Sequence, residues 1–343
     1  MKLVIDNAIP FIKGVFEPYG EVVYLNFSEI GPDEVRDADA LVTRTRTRCD
    51  RNLLEGSSVK IIATATIGTD HVDMDWCDSH GILVRNAPGS NAGGVAQYVF
   101  SALYGTASRN SIKLSGKTIG IIGVGNVGKR VEIMGKTLGF KILLNDPPRQ
   151  EAEGPYGFVS LKDLLRKSDI VTMHVPLNDT TRRMADADFF KAMKPGAIFI
   201  NAARGEVVDD DALIAAIPKL GPVILDTWNN EPAINRELMD LVSIATPHIA
   251  GYSYQGKQNA TAAAVRAVAH YFGISALYEF YPPTEHPEDE AVRLDVKGKS
   301  QGELAAVFQY NYPIFTDDFI FRMNPDDFEK LRSEYRYRRE VYF

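Results

Sequence analysis

Eleven short apolar runs, each followed by a turn signal and a helical pattern, constrain this 343-residue chain more than any other feature. KLVID, EVVYL, ALVTR, IIATAT and ILVRN form a first set ending near Asn86. KTIGIIG, KILLND, DIVTMHV, AIFINAA, PVILDTW and SIATP form a second ending near Pro247. Runs that stay apolar belong to strands buried on both faces, and strands alternating with helices pair in parallel through crossovers. Two such sets predict two doubly wound α/β units, and the length already exceeds what one core usually serves.

Between the sets, residues 91–110 place Val95, Val99, Ala102 and Leu103 at helical spacing, predicting a helix that bridges the units. The Ala-rich stretch 256–273 predicts a second helix returning to the first. The expected partition is a flavodoxin-like substrate-binding domain, 1–90 with 253–278, into which a Rossmann domain, 91–252, is inserted. A cleft between the two is expected to hold the chemistry. Residues 279–343 change character: after the breaker-rich YPPTEHPEDE, this stretch of 65 residues carries 13 of the chain's 34 aromatics. So small a segment buries little alone, so it is expected to be a C-terminal α+β domain whose aromatics pack against a partner subunit.

The net charge of -7 argues against a nucleic-acid partner, so an anionic substrate must meet local cations. Asp6 interrupts what would be a leader's apolar core, and no stretch approaches the ~18 apolar residues of a membrane span, so a cytoplasmic, membrane-free chain is expected. Cys49 and Cys77 are too few for a disulfide framework. DHVDMDWCDSH, residues 70–80, gathers His71, Cys77 and His80 without paired ligand spacing, and no metal is expected there.

In TIGIIGVGNVGK, Gly123, Gly125 and Gly128 follow a strand pattern and open a helical one. The first glycine permits a tight turn, the second lets backbone approach a pyrophosphate, and the third lets helix and strand pack closely. The helix N-terminus, with Asn126 and Val127, faces the phosphates. The next strand, KILLND, ends in Asp146, whose carboxylate suits a ribose 2'-hydroxyl and repels a 2'-phosphate, so NAD is the expected cofactor even with Arg149 nearby.

Ligands of open α/β sheets bind outside the carboxyl ends of strands. Three ends carry unusual polar residues: NAARG offers Arg204, DTWNNEP offers Asp226 and Glu231, and TPHIAGYS offers His248. Together they suit oxidation of a 2-hydroxy acid: histidine takes the hydroxyl proton, a carboxylate supports the imidazolium, and arginine grips the substrate carboxylate.

Through GTDHVD, GVGNVG, NAARG, DTWNNEP and HIAGY the chain resembles the D-specific 2-hydroxyacid dehydrogenase family over roughly residues 1 to 275. The resemblance implies catalytic roles for Arg204, Glu231 and His248, places Asp226 and Gly251 beside the nicotinamide, and places substrate contacts at Thr45, Thr66 and Tyr252. RTRTR, TATIGTDHVD, NAPGSNA, DPPR and the aromatic tail resemble members that take a small phosphorylated 2-hydroxy acid and dimerise through such a tail. The chain departs from the family pattern at Ser90, Gly93, Gly94, Gln97, Asn229 and Asn230, none of them a catalytic group. Another hydroxy acid, or a non-catalytic NAD-sensing scaffold, is compatible with the same motifs. For the phosphate, strand alternation would send Arg44, Arg46 and Arg48 to one side and Thr43, Thr45 and Thr47 to the other, and because RTRTR ends the third strand both sets are expected to reach the cleft rim once the strand yields to a loop; Arg44 is the first choice and Arg46 the second.

Overall fold

The computed structural model describes residues 1–343, and all eleven runs are strands. Contacts divide the chain into two units, Met1–Asn91 with Ser253–Glu290, and Ala92–Tyr252 with Ala291–Phe343.

In the first unit β1 (Lys2–Asp6), β2 (Glu21–Leu25), β3 (Ala40–Thr43), β4 (Ile61–Thr64) and β5 (Leu83–Arg85) form a parallel sheet in the order β2-β1-β3-β4-β5. This is the flavodoxin-like order. Alternate side chains serve opposite faces. Leu3, Ile5, Val42 and Ala63 pack on Val265, Val268 and Ala269 of the Tyr254–Phe272 helix, while Val4, Leu41 and Ile62 pack with Leu53, Leu54 and Cys77. Burial on both faces is why these runs carry no alternation. In the segment 70–80, Cys77 lies in this core, His80 stacks on Trp76 with centroids 3.9 Å apart, and Asp73 caps the helix Met74–Ser79.

In the second unit β6 (Thr118–Ile122), β7 (Lys141–Asn145), β8 (Ile170–Met173), β9 (Ile198–Asn201), β10 (Val223–Leu225) and β11 (Ile244–Ala245) form a parallel sheet in the order β11-β10-β9-β8-β6-β7. The order reverses between β6 and β8, the place where such sheets take their ligands. Ile119, Ile121, Ile198 and Ile224 face the helix Ala92–Arg109, and Val171, Met173, Phe199 and Leu225 fill the opposite layer.

The sequence reading sets residues 279–343 apart; the contacts instead divide at Glu290, and residues 291–343 fold onto the second unit. A two-stranded sheet of β12 (Val292–Arg293) and β13 (Val341–Tyr342) accompanies the helices Gln301–Asn311, Ile314–Met323 and Phe328–Ser333. Phe308 and Tyr312 pack with Tyr98, Phe100 and Tyr104 of the helix Ala92–Arg109, which explains why that helix is apolar nearly all round. Buried Asp318 accepts from the Ala245 amide at 2.7 Å, so Ile314–Met323 covers the edge strand β11.

Candidate active site

The glycine turn follows β6 at the order reversal. Gly123 takes a φ of 83°, and a Cβ there would lie 2.7 Å from the His174 carbonyl. On Gly128 a Cβ would come within 2.1 Å of the Gly123 oxygen, so helix and turn meet there backbone to backbone. Gly125 differs: a Cβ would meet nothing within 4 Å, and the helix Asn126–Thr137 that it opens has no side-chain cap. Open space in front of uncapped amides at Asn126 and Val127 fits a pyrophosphate.

Asp146, at the end of β7, bridges this turn and the helix Pro147–Glu153. Its carboxylate accepts from the Val124 amide at 2.7 Å and the Arg149 amide at 3.1 Å. Arg149 donates to Glu153 through two nitrogens at 2.7 and 2.6 Å and to the Val124 carbonyl at 2.8 Å. The guanidinium of Arg149, whose amide Asp146 holds, is thus already matched by a carboxylate, which favours NAD over NADP. The acid and the glycine turn together fit the dinucleotide.

Three further strand ends build the reactive part. After β9, Asn201 shapes the NAARG turn by accepting from the Ala203 amide at 3.1 Å and donating to the Arg204 carbonyl at 2.9 Å. Gly205 is required next: a Cβ there would sit 1.9 Å from the Trp228 carbonyl. Half-buried Arg204 is thereby fixed at the sheet's carboxyl end, donating to the Ala203 carbonyl at 2.9 Å.

After β10, buried Asp226 accepts from the Thr246 hydroxyl at 2.7 Å, the Ile249 amide at 2.8 Å and the Ala250 amide at 2.9 Å. Burial raises its pKa despite these donors and the neighbouring His248. Glu231 accepts from the Trp228 amide at 3.0 Å, and its other oxygen lies 2.8 Å from Nδ1 of His248. Burial pushes Glu231 up, but His248 and the Trp228 amide more than offset it and hold the carboxyl below its ordinary value. An ionised Glu231 calls the proton to Nδ1 and leaves Nε2 of His248 as a lone-pair base. His248 sits at φ 57°, its amide donating to the Asp226 carbonyl at 2.7 Å. Asn230 takes φ 58°, a conformation asparagine tolerates, and Asn229 donates to Asp210 at 2.6 Å; these contacts account for both departures in this loop.

The structure joins Asp226, Glu231 and His248 in one bonded group, and gathers the glycine turn with Asp146 in another. RTRTR does not continue its strand. β3 ends at Thr43, so the alternating arrangement of its side chains gives way to a turn: Thr43 and Thr47 are buried, Thr45 and Arg46 exposed. Arg44 donates to the Ala8 carbonyl at 3.2 Å, Arg46 lies 5.2 Å from the Phe27 ring centre, and Arg48 pairs with Asp50 at 2.9 Å. Thr66 shares a 2.6 Å hydroxyl contact with Thr64. Tyr252 packs edge-on against Tyr335 at 6.0 Å, and Gly251 precedes it in the loop after His248.

Several contributors escape sequence reasoning. The Tyr98 hydroxyl meets Thr246 at 2.8 Å from 148 residues away, and the Trp228 indole donates to the Thr246 carbonyl at 2.9 Å. Burial takes His174 down to about 3, so it stands neutral behind the glycine turn. Arg332 stays charged although burial opposes it, because Tyr252, Glu231 and Glu329 favour the charge.

Residues 95–250 match the family model described as D-isomer specific 2-hydroxyacid dehydrogenase, NAD binding domain. Over 99% of its length the chain is 43% identical to a protein named erythronate-4-phosphate dehydrogenase from Bacteroides fragilis, covering 97% of that protein. It is 44% identical, with the same coverage of both chains, to one of that name from Bacteroides thetaiotaomicron. Among solved structures, cofactor (NAD+)-bound 3-phosphoglycerate dehydrogenase of Entamoeba histolytica is similar with a TM-score of 0.69 at 27% identity, over 81% of this chain and 97% of that one.

Proposed function

This chain belongs to the D-isomer specific 2-hydroxyacid dehydrogenase family, and we propose that it oxidises 4-phospho-D-erythronate to 2-oxo-3-hydroxy-4-phosphobutanoate with NAD, a step of pyridoxal 5'-phosphate biosynthesis. The reaction class rests on the 2.8 Å contact between His248 and Glu231 at a strand end of the family's NAD binding domain. The substrate rests on the name shared by relatives at 43% and 44% identity over 99% of the chain.

Arg204 takes the substrate carboxylate through paired charge-assisted hydrogen bonds. Nε2 of His248 accepts the C2 hydroxyl proton, and Glu231 stabilises the imidazolium that results. NAD, when bound, would supply the acceptor for the hydride of C2. Gly123, Gly125, Asn126, Val127 and Gly128 would hold its pyrophosphate and Asp146 its adenosine ribose, with Asp226 and Gly251 toward the nicotinamide. Asp226 also holds the His248 loop by the Ile249 and Ala250 amides. Thr45, Thr66 and Tyr252 contact substrate, with Arg44 and Arg46 toward its phosphate.

NADH formation from 4-phosphoerythronate, 3-phosphoglycerate, glycerate and D-lactate, each with NAD and with NADP, tests this reading. The expected result is the highest kcat/KM for 4-phosphoerythronate with NAD. A faster alternative acid would move the substrate assignment, and NADH binding without turnover of any acid would make the chain a nucleotide sensor.

The second copy of this chain is the proposed partner, docked through the C-terminal segment. Tyr310, Phe319 and Met323 are 82%, 63% and 64% exposed there, apolar surface of the kind that interface cores use. Because Phe308, Tyr312 and Phe321 are core residues, truncating the segment would unpack the second unit. Phe319→Lys with Met323→Lys spares that core. Sedimentation should show a dimer for the parent and a monomer for the double variant; an unchanged dimer would place the contact elsewhere.

A further inference from the structure

Arg338, near the chain's end, is buried, and no direct partner of its guanidinium is a carboxylate. One nitrogen donates to the carbonyls of Ile249 at 3.1 Å and Tyr252 at 3.2 Å and to the Tyr335 hydroxyl at 3.3 Å. The other donates to the carbonyls of Ala250 and, at 3.1 Å, Gly94. The guanidinium lies 4.0 Å from the centre of the Tyr312 ring. Asp317, the acid of this neighbourhood, is bonded to Tyr335 instead, at 2.9 Å.

A charge buried among neutral acceptors is costly, so it persists where the surrounding structure makes use of it. Three of the four carbonyls that Arg338 captures belong to the residues just after His248. The amides of Ile249 and Ala250 are held from the other side by the Asp226 carboxylate at 2.8 and 2.9 Å. Two opposite charges therefore grip one short segment, the acid by its N–H groups and the arginine by its C=O groups. That segment must be held, because His248 adopts a φ of 57°, a conformation a histidine keeps only when its surroundings over-determine it. Gly93 lies against the same stretch: a Cβ there would come within 2.0 Å of the Glu340 carboxylate, two residues beyond Arg338, so a larger residue would displace that side chain.

We propose that Arg338 is a positioning residue for the reaction. It fixes the His248–Tyr252 segment so that Nδ1 of His248 stays on Glu231 and Nε2 keeps its aim at the substrate. The inference rests on His248 being the proton acceptor, and its test separates the two ideas.

Arg338→Met and Arg338→Lys, in the full-length protein, are compared with the parent by hydrogen exchange of peptides spanning residues 248–252, by NADH affinity, and by the pH profile of kcat on the fastest acid of the panel. Arg338→Met should speed exchange in that segment, leave exchange in the β6–β9 sheet unchanged, and lower kcat by about a hundredfold, the penalty typical of an ångström-scale misplacement. NADH affinity should change far less, the acidic limb of the profile should move, and added guanidinium should restore part of the loss. Arg338→Lys, which keeps the charge but not the fork, should fall between. Parent-like exchange or parent-like kcat in Arg338→Met overturns the proposal. If Arg338→Met does not fold, parent-like kcat and exchange in Arg338→Lys overturn it equally. Faster exchange in a chain whose His248→Gln variant keeps full turnover would leave the clamp standing and remove the histidine from the chemistry.

Discussion

Two loops occupy the same topological place, the carboxyl edge of a parallel sheet, and are built in opposite ways. After β3, residues 44–48 put Thr45, Arg46 and Arg48 into solvent, and Arg44 is tied by one backbone carbonyl at 3.2 Å. After β10 and β11, Asp226 is buried and Glu231 and His248 are half-buried, with every charged oxygen of the two acids bonded between 2.7 and 3.0 Å. The first arrangement suits catching a hydrated anion, whose charge never leaves water entirely. The second suits a proton transfer, in which donors and acceptors must stand ready because reorganising them would raise the barrier. Losses in the buried loop should therefore appear in turnover, and losses in the exposed loop in binding.

The sharpest break of that contrast is at His248. His248→Ala should lower kcat by about 10²- to 10⁴-fold, the range of general acid–base catalysis, with NADH affinity nearly unchanged. Stopped-flow turnover beside NADH titration reads both. Near-normal kcat would mean that the buried loop is scaffold and that the base lies elsewhere.

What the sequence made legible follows from how locally each feature is encoded. Strands such as IIAT and IFIN are buried throughout and apolar up to their last residue because both faces are covered, so their number and parallel pairing can be read from the chain itself. Gly123 and Gly128 are legible for the same reason, each answering a backbone clash within a few residues or one strand away. RTRTR misleads as a strand because neither composition nor charge marks where β3 stops; the turn begins one residue after Thr43. The tail is harder. Gln309 donates to the Ser101 carbonyl at 2.8 Å and Gln301 to that of Ile112 at 2.8 Å, pairings 208 and 189 residues apart that leave no periodic trace in either segment. Aromatic density correctly announces that the segment packs against something, but only the fold shows that much of it packs on its own chain. Arg338 is invisible on the same ground: in YRYRRE it reads as one more surface cation, and its carbonyl partners lie more than eighty residues upstream.

The smallest effect is expected in the exposed loop, where it also sharpens the contrast. Arg44 is partly buried and starts the turn, while Arg46 rests over Phe27 and Arg48 is paired with Asp50. A charge-assisted hydrogen bond contributes roughly 1.5 to 3 kcal/mol when shielded, and solvent at this loop reduces that toward the lower end or below. Arg44→Ala should accordingly raise KM for 4-phosphoerythronate by about tenfold, leave kcat within about twofold, and leave KM for unphosphorylated erythronate nearly where it was. The same variant should lose part of its response to salt, since the removed contact is one that counterions screen. Equal losses on the two substrates would show that Arg44 supports the turn rather than the phosphate. A drop in kcat with KM unchanged would erase the distinction between the loops, because the exposed arginine would then be acting on the transition state like the buried group.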